Sequence, residues 1–440
     1  MKTVFTALVV CAFVLSGLSQ EAVEEQNEGG IIQLNSSQSY LMMEQNQNLR
    51  KLDVLLDAKE QNLFEKGNIY LGASLTGIID YQHSNTENKF GYLMRHPTGN
   101  NQRTQDVSEI TLHSVQMSFT GAVNNWISIY GEFLYNPEQS FGQGTITAIG
   151  RNLVQLRKGY ILLADPAKSP MYFAFGKMDG NFGLTGSVSP FSNSTMWHAF
   201  GTLAYGGTLG FKKSGFNASI MLIQGGAQFR AANTPVDGTS VPSKLNNFGA
   251  DVNYTLDIGN QGNLKVGASY QKGSAYCQDF PVQHFMPCEE SNPAYTFYGK
   301  LNFNRLTLQG SFASTNDPWP GTHNPSPPLN EFDAAKVTSL SLGGQFKLNN
   351  TGDIRYFLSG EFSNFVAGAD ESPWERQNQI IVGLAGQVEN SSKLFVELFN
   401  TKGFAPLNFI SGGNQDDPGT THSDSDASSI GIVLGGIITL

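Results

Sequence analysis

Charge is what this chain has least of. Asp, Glu, Lys and Arg make up 15% of its 440 residues, whereas soluble domains carry about 25%. Long apolar runs are also missing: beyond the first twenty residues no stretch of eighteen consecutive apolar residues occurs, which excludes crossing a membrane by helices. The chain has no paired Cys-x-x-Cys, no phosphate-binding glycine loop and no basic stripe, so no nucleotide, redox or metal cofactor is called for. A formal net charge of −10 argues against a nucleic-acid partner. Of the seven histidines only His113 falls within a predicted strand, and no serine or acid can be assigned to it by spacing. The expectation is a chain without catalytic residues.

What is abundant is glycine, at 48 residues, and aromatic side chains, at 11%. The clearest stretch is KVTSLSLGGQFKLNNTGDIRYFLSGEFSNF, residues 336–365. Leu340, Leu342, Gly344, Phe346 and Leu348 share one face, and Ser339, Ser341, Gly343, Gln345 and Lys347 the other, the period of two that marks a strand. Asn349-Asn350-Thr351-Gly352 supplies a tight turn, and Ile354, Tyr356, Leu358, Gly360 and Phe362 repeat the pattern. Each strand is about ten to twelve residues long, which suits a tilted bilayer crossing of 9–11 better than the five or six of soluble sheets. A mean hydropathy of −0.23 fits, because half of each such strand is polar.

The same alternation marks strands near 68–82, 108–120, 125–136, 152–164, 171–178, 202–212, 215–224, 246–258, 262–272, 294–304, 305–315, 336–349, 353–365, 377–389, 391–401 and 428–440, sixteen in all. Short turns alternate strictly with long loops, the plan of an outer-membrane barrel with its turns in the periplasm. A secreted pair of β-sandwiches would explain the alternation but neither the strand length nor the loop asymmetry. The expected fold is therefore all-β, a 16-stranded antiparallel transmembrane β-barrel over 67–440 in the bacterial outer membrane, with both termini in the periplasm.

Ahead of the barrel, 1–19 has the layout of a secretory signal peptide: Lys2, an apolar core from Val4 to Leu15, and cleavage after Ser19. Residues 20–66 are rich in Glu, Gln and Asn. Met42, Leu49, Leu52, Leu56 and Leu63 fall on heptad positions, interrupted by Gln45 and Lys59, so a periplasmic helical segment is expected, either a short coiled coil or a loosely ordered polar linker. Cys11 leaves with the signal. Cys277 and Cys288 in YCQDFPVQHFMPCEE then suit a disulfide in an exported protein, a zinc pair with His284 being the alternative. Asp416, Asp417, Asp424 and Asp426 are either a carboxylate site for a divalent cation or a solvated acidic loop.

A charge on the lipid face near the midplane costs roughly 2–4 kcal/mol, and that cost assigns faces. Phe248, Ala250, Val252, Tyr254 and Leu256 face lipid, so Asp251 and Asn253 face inward. Glu132, Lys265, Lys300, Glu361 and Glu397 likewise point into the lumen, with Asp80, Arg305, Lys347 and Arg355 inward nearer the ends. Arg157 and Lys158 are adjacent and cannot share a face without a bulge or a rim position, and 108–120 changes phase between Leu112 and Val115. Trp126, Tyr135, Tyr205 and Trp374 are expected in interfacial aromatic girdles. Sixteen strands leave an aqueous channel, and Glu132, Asp251, Lys265, Lys300, Arg305, Glu361 and Glu397 are the candidate solute-binding lining. Each can equally be solvated wall.

The segment GKMDGNFGLTGSVSPFSNSTMWHAFGTLAYGGTLGF, residues 176–211, is a long Gly/Ser/Phe loop returning into a glycine-rich strand. With the signal, the short N-terminal helix and a single barrel, it resembles the LbtU-type siderophore porin family. That resemblance implies a plug-free barrel that takes up a ferric siderophore of the polycarboxylate kind without energy coupling. Its terminal residue, Leu440, departs from the aromatic ending usual in outer-membrane barrels. Two other readings stay open: a general or anion-selective porin, and a structural or adhesive barrel with a closed lumen. Lipid, lipopolysaccharide and further copies of the chain are the expected neighbours. Heat-modifiable migration on a denaturing gel checks the barrel itself: unboiled protein is expected to run apart from boiled, and identical mobility would refute the fold.

Overall fold

The computed structural model describes residues 32–34, 41–43, 50–91, 104–135, 154–224, 245–277, 290–350, 352–389, 391–406, 410–414 and 417–440. The signal peptide lies outside them. Sixteen antiparallel strands follow one another around a closed barrel: β1 (Ile69–Ser84), β2 (Asp106–Ala122), β3 (Ile127–Tyr135), β4 (Val154–Ala164), β5 (Met171–Asp179), β6 (Leu203–Lys213), β7 (Phe216–Gln224), β8 (Leu245–Asp257), β9 (Gly262–Gln271), β10 (Ala294–Phe303), β11 (Leu306–Thr315), β12 (Thr338–Lys347), β13 (Ile354–Val366), β14 (Arg376–Val388), β15 (Ser392–Phe404) and β16 (Asp424–Thr439). All the strands expected from alternation are present. The largest shift is at β16, which begins at Asp424 rather than near 428.

Closure is made by β16 against β1, from Ser429 opposite Ser84 to Thr439 opposite Ser74. The Ala73 and Leu440 amides then exchange bonds with each other's carbonyls at 3.1 and 2.8 Å. A short strand, Ile32–Leu34, runs parallel to the start of β1. Outside, Leu342, Leu358, Leu394 and Leu434 are exposed, while Ser341, Glu361, Glu397 and Val433 are buried within the barrel. The inside-outside assignment thus follows the cost of placing charge against lipid, as it does at β8, where Val252, Tyr254 and Leu256 are exposed and Asp251 and Asn253 buried.

Both irregular strands carry a bulge. In β2, Thr76 pairs with Ser114 and the next pair is Gly77 with Leu112, so His113 is the extra residue and it points inward beside Ser114. In β4, Glu132 pairs with Lys158 and Phe133 with Leu156. Arg157 is therefore extra, which lets adjacent cations both face the lumen.

One expectation needs correcting. Part of the 20–66 segment placed in the periplasm is inside the barrel. Helix α1 (Lys51–Glu60) buries Leu52, Val54, Leu55, Leu56 and Ala58 in a cluster with Tyr130, Tyr160, Leu162, Tyr172, Ala174, Met221 and Ile223, all from the inward face of β3 to β7. The leucines that suit a coiled-coil seam find the wall of the barrel in place of a second helix. Asp53 in its first turn and Lys59 in its last complement the helix dipole.

The bulge at His113 makes a deletion test. Removing His113 restores unbroken alternation, with Leu112 outward next to inward Ser114, whereas removing Val115 sets two inward residues side by side and forces a second irregularity. Refolded His113-deletion protein is expected to keep its heat-modifiable band, and Val115-deletion protein to lose most of it.

Candidate functional site

The lumen is where polar side chains converge, and two chain segments enter it. The first is the loop between β5 and β6, residues 180–202, which bends inward and crosses the wall strands one after another. The Gly183 amide donates to Ser269 Oγ at 2.8 Å, and Gln309 Nε2 donates to the Gly186 carbonyl at 2.8 Å. The Ser187 hydroxyl and the Val188 amide both donate to Glu361 Oε2, at 2.7 and 3.0 Å. Further on, the Phe191 and Ser192 amides donate to Glu397 Oε1 at 2.6 and 3.1 Å, and the Ser192 hydroxyl donates to Oε2. Gln379 Nε2 reaches the Asn193 carbonyl at 2.9 Å, and the Thr195 amide reaches Ser363 Oγ at 3.1 Å. Close packing needs glycine at two wall positions: a Cβ on Gly343 would meet Val188 Cγ2 at 2.6 Å, and one on Gly383 would meet Pro190 Cδ at 2.5 Å.

At the centre of this loop Phe191 stacks on Phe395, with ring centroids 5.2 Å apart, and meets His113 edge-on at 4.8 Å. Ile78, Ile381, Phe399, Val433 and Ile437 complete an apolar arc of inner wall beneath it. The loop ends in α2 (Thr195–Phe200), capped by Ser194 Oγ accepting from the Trp197 amide. The loop therefore narrows the interior of the barrel.

Helix α1 occupies the opposite arc. Arg50 reaches Asp251 Oδ2 at 2.9 Å and Tyr298 Oη at 3.3 Å. Asp251 is itself held by Ser269 Oγ at 2.6 Å, Tyr298 Oη at 2.8 Å and Asn253 Nδ2 at 2.7 Å. The Lys51 amide donates to Asp179 Oδ2 at 3.4 Å, which also receives Lys158 Nζ at 2.8 Å. At the far end Lys59 Nζ donates to the Asn125 carbonyl and Ser128 Oγ, at 2.9 and 3.0 Å. Lys212 pairs with Asp57, and with Glu60 at 3.1 Å. Burial lowers the Lys59 ammonium while the charge of Asp165 opposes it, leaving its pKa below the usual lysine value.

The seven predicted lining residues separate into groups. Glu132, Asp251, Glu361 and Glu397 do face inward, but all four are buried and engaged with protein groups: Glu132 accepts from Tyr130 Oη at 2.8 Å and lies 3.7 Å from Arg157 Nε. They anchor inserts and wall rather than meeting a solute. Lys265 and Lys300 are half-buried on the inward face, directly opposite each other across β9 and β10, with Lys347 half-buried on β12. Arg305 is not lining at all. It sits exposed in the turn after β10 and donates to Asn349 Oδ1 at 2.6 Å. The residues that the sequence reading missed are Arg50, Ser187, Phe191 and Ser192, whose partners are distant in the chain. Only the glycine- and serine-rich composition of 180–202 hints at them.

At the long-loop end the described loops pack into a second core. Phe182, Phe200, Tyr276, Trp319, Leu329, Phe365, Trp374 and Ile410 are buried there together. Trp374, expected in a girdle, is fully buried against Phe332, because the β13–β14 loop folds over the mouth. Trp126 and Tyr205 are exposed on the barrel. Asp424 Oδ1 accepts from the Asp426 and Ala427 amides at 2.9 and 3.1 Å, so it forms a turn. Cys288, Asp416 and His284 lie outside the described residues. Among the described residues no group of three or more His, Cys, Asp or Glu is arranged to hold a metal.

Neither a protein-family model nor a curated protein matches the chain in sequence. Solved structures do match in shape. The anion-selective porin from Comamonas acidovorans has a TM-score of 0.50 at 12% identity, covering 85% of this chain and 99% of that one. Pseudomonas putida OprB has a TM-score of 0.51 at 8% identity, covering 84% and 94%. At such identities the likeness is one of fold, that of a porin-type 16-stranded barrel.

The anchor at Glu397 is open to test. Hydrogen bonds to an ionised carboxylate contribute about 1.5–3 kcal/mol each, so Glu397→Gln is expected to speed amide exchange at Phe191 and Ser192 by at least about tenfold. Exchange on β9 and β10 should not change. Hydrogen–deuterium exchange read segment by segment makes the comparison, and unchanged protection over 187–194 would remove Glu397 from this role.

Proposed function

We propose that the chain is an outer-membrane porin that passes small hydrophilic anions, with its short turns and both termini in the periplasm, and that its cargo is a ferric polycarboxylate siderophore. One observation carries the anionic preference. Asp251, Glu361 and Glu397 are engaged in holding the inserts and Glu132 is held within the wall, while Lys265, Lys300 and Lys347 keep partly exposed side chains on β9, β10 and β12. A solute entering there meets a net positive wall despite the chain's formal charge of −10. Lys265 and Lys300 sit directly opposite each other on adjacent strands. A polycarboxylate complex of iron offers several carboxylate oxygens to such a pair, so resemblance and electrostatics favour the same solute class. Passage follows the solute's own gradient, and the inserts set its size limit.

Planar-bilayer recording in a potassium chloride gradient is expected to show a chloride-selective reversal potential that shifts toward cation selectivity in the Lys265→Glu, Lys300→Glu double variant. An unshifted potential would remove these lysines from the permeation path, and a barrel without conductance would favour the adhesive reading. Liposomes carrying the protein should admit ferric citrate with saturable kinetics. Chloride conduction without ferric citrate entry would reduce the proposal to a general anion porin.

We also propose that Cys277 and Cys288 pair in the β9–β10 loop, which for so short a loop stabilises by roughly 3 kcal/mol. Thiol alkylation is expected only after reduction.

A further inference from the structure

Helix α1 is fixed to the wall with more care than a linker requires. Along its ten residues, about 15 Å of axis, it makes ionic or hydrogen-bonded contacts with β3, β5 and β6, and Arg50, just ahead of it, adds β8 and β10. Its apolar face is matched to inward Tyr130, Tyr160 and Tyr172 with Met221. An outer-membrane wall has no structural need for that occupant, since inward tyrosines are content in water through their hydroxyls.

The seat of Arg50 is the most built of these contacts. Asp251 presents Oδ2 to the guanidinium while Ser269, Asn253 and Tyr298 hold the carboxylate in place through three further hydrogen bonds. Those three partners belong to the barrel wall, on β8, β9 and β10, so the carboxylate remains oriented whether or not Arg50 is present. The site is a preorganised acceptor for a guanidinium Nη2, which meets both Asp251 Oδ2 and Tyr298 Oη. Arg50 is 12% exposed at its side chain and Asp251 1%. Such a pair, when one partner is removed, leaves an uncompensated buried charge.

We infer that α1 is a tethered plug. It narrows the channel from within, its Arg50 occupies a guanidinium site on the wall, and solutes bearing a guanidinium group compete with Arg50 for Asp251 and loosen the plug. The inference rests on the porin reading only for its conductance readout. Seating of the helix is measured separately. The mechanism is population shift: a free guanidinium favours the unplugged state only because that state alone exposes the Asp251 site.

The test uses the full-length chain in liposomes and planar bilayers. A thiol probe at Leu55→Cys, a position buried in the seat, is expected to react at least about tenfold more slowly than one at the exposed Glu60→Cys. Adding Arg50→Gln should abolish most of that protection and raise single-channel conductance. Millimolar arginine should do the same to the chain with native Arg50, and lysine at equal concentration should do much less. Arg50→Asp with Asp251→Arg should restore protection if the pair acts as a pair. Arg50 is outside the barrel wall, so Arg50→Gln should keep its heat-modifiable band; the swap, which also alters Asp251 on β8, is read only if it keeps that band too. For a second disruption that leaves the wall untouched, Leu55→Asp sets a charge against the tyrosines and is expected to open the channel alone. Equal reactivity at positions 55 and 60 in the native background would overturn the plug. Loss of protection with unchanged conductance would show that α1 does not narrow the path. An effect of Arg50→Gln with none from added arginine would overturn the competing-ligand part. If every variant including Leu55→Asp is silent in bilayers while the labelling pattern holds, the porin reading fails and the seated helix stands.

Discussion

Everything in this molecule depends on the absence of water from the middle of a bilayer. A strand with unpaired amides cannot remain there, so the sheet must close, and it does so with β16 against β1 down to the reciprocal Ala73–Leu440 bonds. Once closed, the wall has only two environments. Hydrocarbon outside admits Leu, Val, Ile and aromatic rings, and mid-strand charges such as Glu132, Asp251, Glu361 and Glu397 are driven inward by a few kilocalories. The bulge in β4 follows from the same rule, since Arg157 and Lys158 both have to be inside and the strand must spend an extra residue to put them there.

Inward charges create the second problem. A carboxylate in a crowded lumen needs donors, and when water is displaced those donors must be protein. Here they are backbone amides and hydroxyls of the incoming loop at Glu361 and Glu397, and a guanidinium at Asp251. The wall thus positions its own inserts by electrostatics, and the apolar contacts, Phe191 on Phe395 and Leu55 among the tyrosines, fill what the polar anchors align.

Legibility in the sequence divides along the same line. Strand number, strand ends and the face of nearly every residue were readable because period two and the cost of charge in lipid are local properties. The phase change in β2 and the Arg157–Lys158 conflict announced their bulges for the same reason. Partnership across the lumen was not readable. Glu397 looks in the sequence like any inward acid, and nothing near it says that the amides of Phe191 and Ser192 will arrive. The N-terminal helix misled because an amphipathic stripe of leucines has one signature whether it docks on a helix, on water-facing tyrosines or nowhere. Trp374 misled because nearness to a strand end does not separate a girdle from a folded loop, and Arg305 because a turn one residue earlier takes it off the wall.

The Phe191–Glu397 hydrogen bond joins residues 206 positions apart. Its donor precedes its acceptor by ten strands, so in chain order the amides of Phe191 and Ser192 gain their carboxylate after the anchors at Ser269, Gln309 and Glu361 are in place. The constriction is consequently a property of the completed chain: a barrel interrupted before β15 would carry the loop but no anchor at its tip.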